Sequence, residues 1–299
     1  MKHINLTPIS AVVLAIGAAA HAQEAATLPP VVVVASPIIE ANHVDGFASF
    51  STQVNESQIK DLGALDLAAA LRMTPGVQIS RYNEVGSYSG DQGGNIYIRG
   101  IGASRPGSEI KTHLDGIPVY MGLWSHPLMD LLPLNGVQSV NIFKGPQNQV
   151  NGNSFASVNL QSKRATQDGL TGEINTSFGS NSTRTLQGNL VGRKGDVDYG
   201  LAVGHVESDG ARPNADARLT NAMGHMAMQV NNTWRIGVQF LAVDNKARDP
   251  GDNRFPTSNT PVGPYSFANG VGRNASTTNL ISAFAAHQDG RNKGQIKVY

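Results

Sequence analysis

The chain has 299 residues, a formal net charge of +1, 15% charged residues and no cysteine. That balance excludes nucleic-acid binding through bulk electrostatics, and the lack of thiols excludes a disulfide framework or thiolate metal sites. Its 33 glycines exceed the usual share of about 7%, and its charged fraction falls below the usual 25% or so, a composition suited to many short strands and turns. In chain order, "MKHINLTPISAVVLAIGAAAHAQEA" comes first. Lys2 precedes an apolar run from Ile9 to Ala20, and Ala20-His21-Ala22 has the small-x-small form of a cleavage site. Residues 1–22 are therefore predicted as a signal peptide with Gln23 as the mature start. The run is shorter than the ~20 residues of a spanning helix. No later stretch reaches that length.

Residues 23–45 read as a linker that carries "LPPVVVVASP". Four consecutive β-branched residues favour a strand. Pro29, Pro30 and Pro37 bracket them and bar the segment from a sheet interior. Two uses remain: a first strand of the domain that follows, or a strand offered to a partner.

Residues 46–165 read as a compact α+β domain. One helix is predicted within "NESQIKDLGALDLAAALRMTPGV", where Leu62, Leu65, Leu67, Ala70 and Leu71 recur at helical spacing until Pro75 and Gly76. Short strands follow at "VQIS", "NIYIRG", "THLDGIPVY" and "VQSVNIFKGP", each bounded by Gly, Pro or Asn. Gly100 permits a tight turn after Arg99, Asp115-Gly116 reads as a turn, and Gly145-Pro146 ends the strand that carries Lys144.

Residues 166–299 change character. In "TLQGNLVGR", Leu186, Gly188, Leu190 and Gly192 share one face, against Gln187, Asn189 and Arg193. In "NAMGHMAMQVN", Ala222, Gly224, Met226, Met228 and Val230 oppose Asn221, His225, Gln229 and Asn231. In "TWRIGVQFLAVD", Trp234, Ile236, Val238, Phe240 and Ala242 oppose Arg235, Gly237 and Gln239. Segments of about ten residues with one apolar and one polar face are the pattern of transmembrane β-barrel strands. A soluble sandwich also alternates. The connections favour the barrel, since short turns interleave with longer polar loops, one of them read from Lys246 to Thr277. Trp234 lies beside a short turn, where an interfacial aromatic belongs.

No GxSxG, HExxH, Walker A or GxGxxG sequence occurs, so the reading is not an enzyme. His113, His126, His205 and His225, with Met121, Met223, Met226 and Met228, lack tight ligand spacing. No metal site and no cofactor are predicted.

The ordered motifs "LRMTPGVQIS", "NIYIRGIG", "HLDGIPVY", "LNGVQSVNIFKGP" and "NGNSFASVNLQSKR" resemble the plug domain of TonB-dependent outer-membrane transporters. The fold class implied is an α+β plug domain followed by antiparallel transmembrane β-barrel strands, the N-terminal portion of a 22-stranded type. By the resemblance, Val31, Val32, Val33, Val34 and Ala35 form a TonB box that adds a strand to TonB. Arg99 and Lys144 would pair with carboxylates of the barrel wall, in motifs that include Gly100, Asp115, Gly116, Gly145 and Pro146. Lys144 stands where arginine is more frequent, Asn141 and Ile142 where a carboxylate often stands, and Ser157 where glycine is common. Tyr82, Tyr88, Trp124 and His126 fall in segments expected at the outward apices and are the candidate ligand contacts.

The implied function is import of a scarce ligand, a ferric siderophore foremost, across the outer membrane of a Gram-negative cell. The implied partners are TonB with ExbB and ExbD in the inner membrane, outer-membrane lipid and a small-molecule chelate, and no nucleic acid. A closed barrel needs about 22 strands and this sequence supplies about seven, so an incomplete barrel is expected. The alternatives are a non-transporting fragment whose plug only binds TonB, and a signalling receptor of the same family. The second is disfavoured because only Gln23 to Leu28 precede the valine run.

Overall fold

The computed structural model describes residues 41–44, 50–81, 85, 94–102, 110–121, 126–127, 132–146, 154–211, 215–248, 273–290 and 292–299. The predicted signal peptide and the valine run lie outside them.

Two bodies of strands follow one another. In the first, β1 (Ala41–Val44), β2 (Phe50–Asn55), β6 (Ile110–Leu114), β7 (Ile117–Pro118), β10 (Val137–Phe143) and β11 (Ala156–Ser162) form one mixed sheet in the order β1-β2-β10-β11-β6-β7. Only β11 and β6 run parallel. A second sheet joins β3 (Val77–Arg81), β4 (Gly94–Ile98) and β5 (Ile101–Gly102), and β8 (Tyr120–Met121) pairs with β9 (His126–Pro127). The strands read at "VQIS", "NIYIRG", "THLDGIPVY" and "VQSVNIFKGP" all form. The pair β1 and β2 escaped prediction. "FSTQVN" has no clean alternation, and its Ser51 and Thr52 are buried as ladder residues beside β10.

The single predicted helix is two. α1 (Glu56–Asp61) starts in a capping box, where Asn55 Oδ1 accepts from the Gln58 amide at 2.9 Å and Gln58 Oε1 accepts from the Asn55 amide at 2.7 Å. It stops at Gly63, whose φ of +57° costs little without a Cβ. α2 (Leu67–Leu71) restarts on Asp66, whose Oδ1 accepts from the Ala69 amide at 2.9 Å. The apolar spacing was helical because both pieces bury the same side against one core. That core unites Leu67 and Leu71 with Val54, Val140, Ile142 and Val158.

β6 carries His113, buried, with Nδ1 3.0 Å from Asn159 Oδ1. Burial pushes its pKa below the usual 6.5, against the pull of the Asn159 hydrogen bond. The unfolded chain therefore takes up this proton first. Stability is full above the ordinary value of 6.5 and falls as pH drops from there toward the lower folded value. His113→Gln is expected to remove that part of the slope. Denaturation midpoints of the two proteins compared at several pH values check it, and parallel curves would refute it.

The second body is a seven-stranded antiparallel meander: β12 (Gly169–Phe178), β13 (Arg184–Lys194), β14 (Val197–Ser208), β15 (Ala217–Gln229), β16 (Trp234–Arg248), β17 (Arg273–Asp289) and β18 (Asn292–Val298). The links 179–183, 209–216 and 249–272 fall at one end, and 195–196, 230–233 and 290–291 at the other. β16 and β17 run further than the sequence reading gave them, so the loop read from Lys246 to Thr277 contracts to 249–272. The alternation is as read. Leu186, Met226, Met228, Ile236, Val238 and Phe240 face outward and exposed, while Leu219, Met223, Leu241 and Val243 face inward and join the core of the first body. Trp234 packs its ring 4.8 Å from His287 beside a short turn.

Candidate functional site at the seam between plug and barrel wall

Besides Leu219, Met223, Leu241 and Val243, the inner face of the meander carries polar and small side chains against the first body. Three features define the contact. The first is close approach. Gly136, in the turn before β10, lies so near the wall that a Cβ there would fall 2.8 Å from the Ala202 Cβ and 2.7 Å from Met223 Sδ. Its neighbour Asn135 donates from Nδ2 to the Val203 carbonyl at 2.7 Å. Asn221, at 4% exposure, aims both amide atoms into this seam without a hydrogen-bond partner among the described residues.

The second feature is a cavity of about 270 Å³ between α1 and the β12–β13 hairpin, with an apolar floor and charged and amide groups around it. Lys60 Nζ sits 2.7 Å from Glu173 on β12 and 3.1 Å from Glu56, and Lys163 Nζ sits 3.0 Å from Glu56. Partial burial of Glu56 opposes its ionisation. The hydrogen bonds from Lys163 and Lys60 outweigh that and hold the carboxyl below its ordinary range. The hydrogen bonds to Glu173 and Glu56 raise the Lys60 ammonium. Asn175, Gln187 and Asn189 complete an amide-rich wall.

The third feature is a charge cluster at the short-turn end. Arg164, just past β11, reaches both Asp115 of the β6–β7 turn and Asp198 of β14. Arg235 of β16 also binds Asp198. Asp115 and Gly116 take φ values of +48° and +79°, the paired left-handed geometry of a tight hairpin turn.

The residues singled out by motif are placed as follows. Arg99 and Lys144 come together: Arg99 Nη1 donates to the Lys144 carbonyl at 2.9 Å, and its guanidinium lies 5.5 Å from the Phe155 ring centre. Among the described residues, Arg99 makes no ion pair with a barrel carboxylate. The wall carboxylates Glu173 and Asp198 are held by Lys60 and Arg164 instead. Lys144 is buried, and desolvation pushes its ammonium below the usual range. Tyr82, Tyr88 and Trp124 lie outside the described residues. Of His126, only its backbone place in β9 is described. Val85, from the segment that holds Tyr82 and Tyr88, is buried against Val206, Ala217 and Ala247, toward the long-link end of the meander.

Sequence reading missed Lys60, Arg164, Asp198 and Gly136. Gly136 and Arg164 stand inside quoted motifs, Lys60 and Asp198 outside them, and the partners of all four lie far away in sequence. The one available signal was parity: Asp198 and Glu173 fall on the inward positions of strands whose outward positions are apolar.

An α+β body whose sheet lines the inner face of amphipathic antiparallel strands is the architecture of a plugged β-barrel. Residues 46–158 match the model of the TonB-dependent receptor plug domain. The whole described fold is similar to solved receptors. FpvA of P. aeruginosa, in complex with a heterologous iron-loaded pyoverdine, aligns at TM-score 0.66 and 18% identity over 83% of this chain and 33% of that one. The ferric-catecholate import receptor Fiu from E. coli K12 gives 0.60 and 18% over 86% and 38%. The ferric yersiniabactin uptake receptor FyuA from Yersinia pestis gives 0.61 and 16% over 80% and 38%. The chain spans about a third of the length of the receptors it matches. Residues 46–158 thus match a TonB-dependent receptor plug domain, and the fold is that of a plug followed by antiparallel barrel-type strands.

Proposed function

We propose that the chain belongs to an outer-membrane receptor that binds a ferric siderophore outside the cell and passes it to the periplasm with energy delivered by TonB. The observation that carries this reading is the seam. A folded plug lies against the inner face of lipid-facing strands, and polar side chains bound a cavity between the two. An obstruction of that kind has to be displaced before a chelate can pass, which calls for an external energy source. The similar receptors with iron chelates in their names support the ligand class.

On this reading residues 1–22 are the export signal, residues 23–45 hold the TonB box, the plug runs over 46–165 and the barrel strands over 166–299. Val31 to Ala35 pair with an edge strand of TonB through main-chain hydrogen bonds. Tyr82, Tyr88, Trp124 and His126 meet the ligand at the outward apices.

The test uses cells that make the protein and grow on a ferric siderophore as sole iron source. A proline at the centre of the box, Val33→Pro, removes one ladder donor and fixes φ. Uptake of radiolabelled ferric siderophore is expected to fall to the level of a TonB-deficient strain, with binding to whole cells retained. Undiminished uptake would refute the role of this segment, and absence of the protein from outer-membrane fractions would refute the transport reading.

A further inference from the structure

Arg164 stands where the plug hands over to the first barrel strand, and its one guanidinium spans carboxylates of both bodies. Nη1 lies 3.2 Å from Asp198 Oδ1 on β14, and Nη2 lies 3.6 Å from Asp115 Oδ2 in the plug's β6–β7 turn. Each carboxylate is held from a second side. Arg235 of β16 donates from Nη2 to Asp198 Oδ2. The Ser162 amide and hydroxyl donate to Asp115 Oδ1 and Oδ2 at 3.0 and 2.7 Å. Lys297 of β18 donates to the Asp115 main-chain carbonyl, in space kept open by Gly116, where a Cβ would lie 3.1 Å from that ammonium.

The Asp198 side chain is 4% exposed, so salt screens these pairs far less than surface ones. His225 Nε2, 3.6 Å from Asp198 Oδ1, has no hydrogen-bond partner among the described residues and adds a third nitrogen on the same carboxylate. A buried network of this kind stabilises less than an apolar contact of equal size. It is also discrete: with one partner gone, the remaining charges are left uncompensated.

The geometry points to a charge latch. Arg164 and Asp198 are positioning residues that clamp the β6–β7 turn and the plug's exit segment to β14 and β16, and this end of the plug moves only when that pair parts. The inference deepens the transport reading in purpose, but its test involves no transport, so the two stand or fall separately.

The experiment is hydrogen exchange, read by mass spectrometry, on the full chain reconstituted in lipid. Wild type is compared with Asp198→Asn, Arg164→Met, the double variant and Asp198→Glu. In each single variant, exchange is expected to rise roughly tenfold in peptides covering 110–118 and 158–166, with α1 and β2 unchanged. The double variant is expected to show less than the product of the single effects, because both remove one interaction. Asp198→Glu, which keeps the charge, should restore part of the protection. Unchanged exchange in those two peptides would overturn the latch. So would independent effects in the double variant. A uniform rise across the plug would overturn it as well, since that reports loss of fold rather than release of one end.

Discussion

Ile142→Ala is expected to cost about 3–4 kcal/mol, the largest single effect in the plug. Ile142 is fully buried on β10, the strand with β2 on one side and β11 on the other. It faces Thr52 and Val158 across the two ladders and belongs to the core that Leu67 and Leu71 cap. Truncation removes the transfer free energy of three carbons and leaves a cavity that a central strand, tied on both edges, cannot close. Hydrogen exchange at the amides of β2, β10 and β11 in the intact chain measures it. Protection should fall by about two to three decades, since each decade corresponds to about 1.4 kcal/mol. A loss below a factor of about five would mean that β10 is not the centre of the plug core.

Gly136→Ala is the second large effect, at about 1–3 kcal/mol, and it acts through overpacking. Met223 Sδ ends a flexible chain and can give way. The Ala202 Cβ cannot, because β14 is fixed by β13 and β15. The methyl group therefore pushes the turn before β10 off the wall. The expected signature is lost protection around 132–140 with β3 and β4 unchanged. Compensation identifies the cause: Ala202→Gly alone should do little, and Gly136→Ala with Ala202→Gly should recover most of the loss. If the double variant is as damaged as the single, steric contact with Ala202 is not the reason.

The barrel strands were legible because physics acts on them one residue at a time. Each second side chain faces outward and exposed, Met226, Met228, Ile236 and Val238 form an apolar row there, and a period of two survives in the sequence. The Asp-Gly pair at 115–116 was legible for the same reason. Its left-handed φ values admit few residue types, and the turn needs no distant partner. The helix break was less so. Ile59, Leu62 and Leu67 share one core across Gly63 while Leu65 packs on the Val85 cluster, and periodicity records a face rather than the continuity of the backbone. Asn55 and Asp66, the two caps, carried the signal that two helices begin there.

The seam was not legible. The resemblance led to Arg99 and Lys144 as plug-to-wall charges, and among the described residues Arg99 Nη1 donates to the Lys144 carbonyl. Among the described residues the wall is reached by Lys60, which stands outside every motif, and by Arg164, the last residue of one, to which the motif assigned no role. An ion pair between residues 34 apart in the chain, such as Arg164 with Asp198, depends on where two sheets come to rest. A lone arginine in sequence gives no sign of its partner.

By itself the sequence determined what each segment must do: an apolar outward side on the later strands, a common core under α1 and α2, tight turns at Gly100 and Gly116, and a strand end at Gly145. Those demands are local, set by solvent and by backbone sterics. Only the tertiary structure decided which plug residues touch the wall, why Gly136 admits no side chain, and which arginine holds Asp198. Those outcomes depend on the relative placement of two bodies, and no single residue's surroundings record that placement until both have folded.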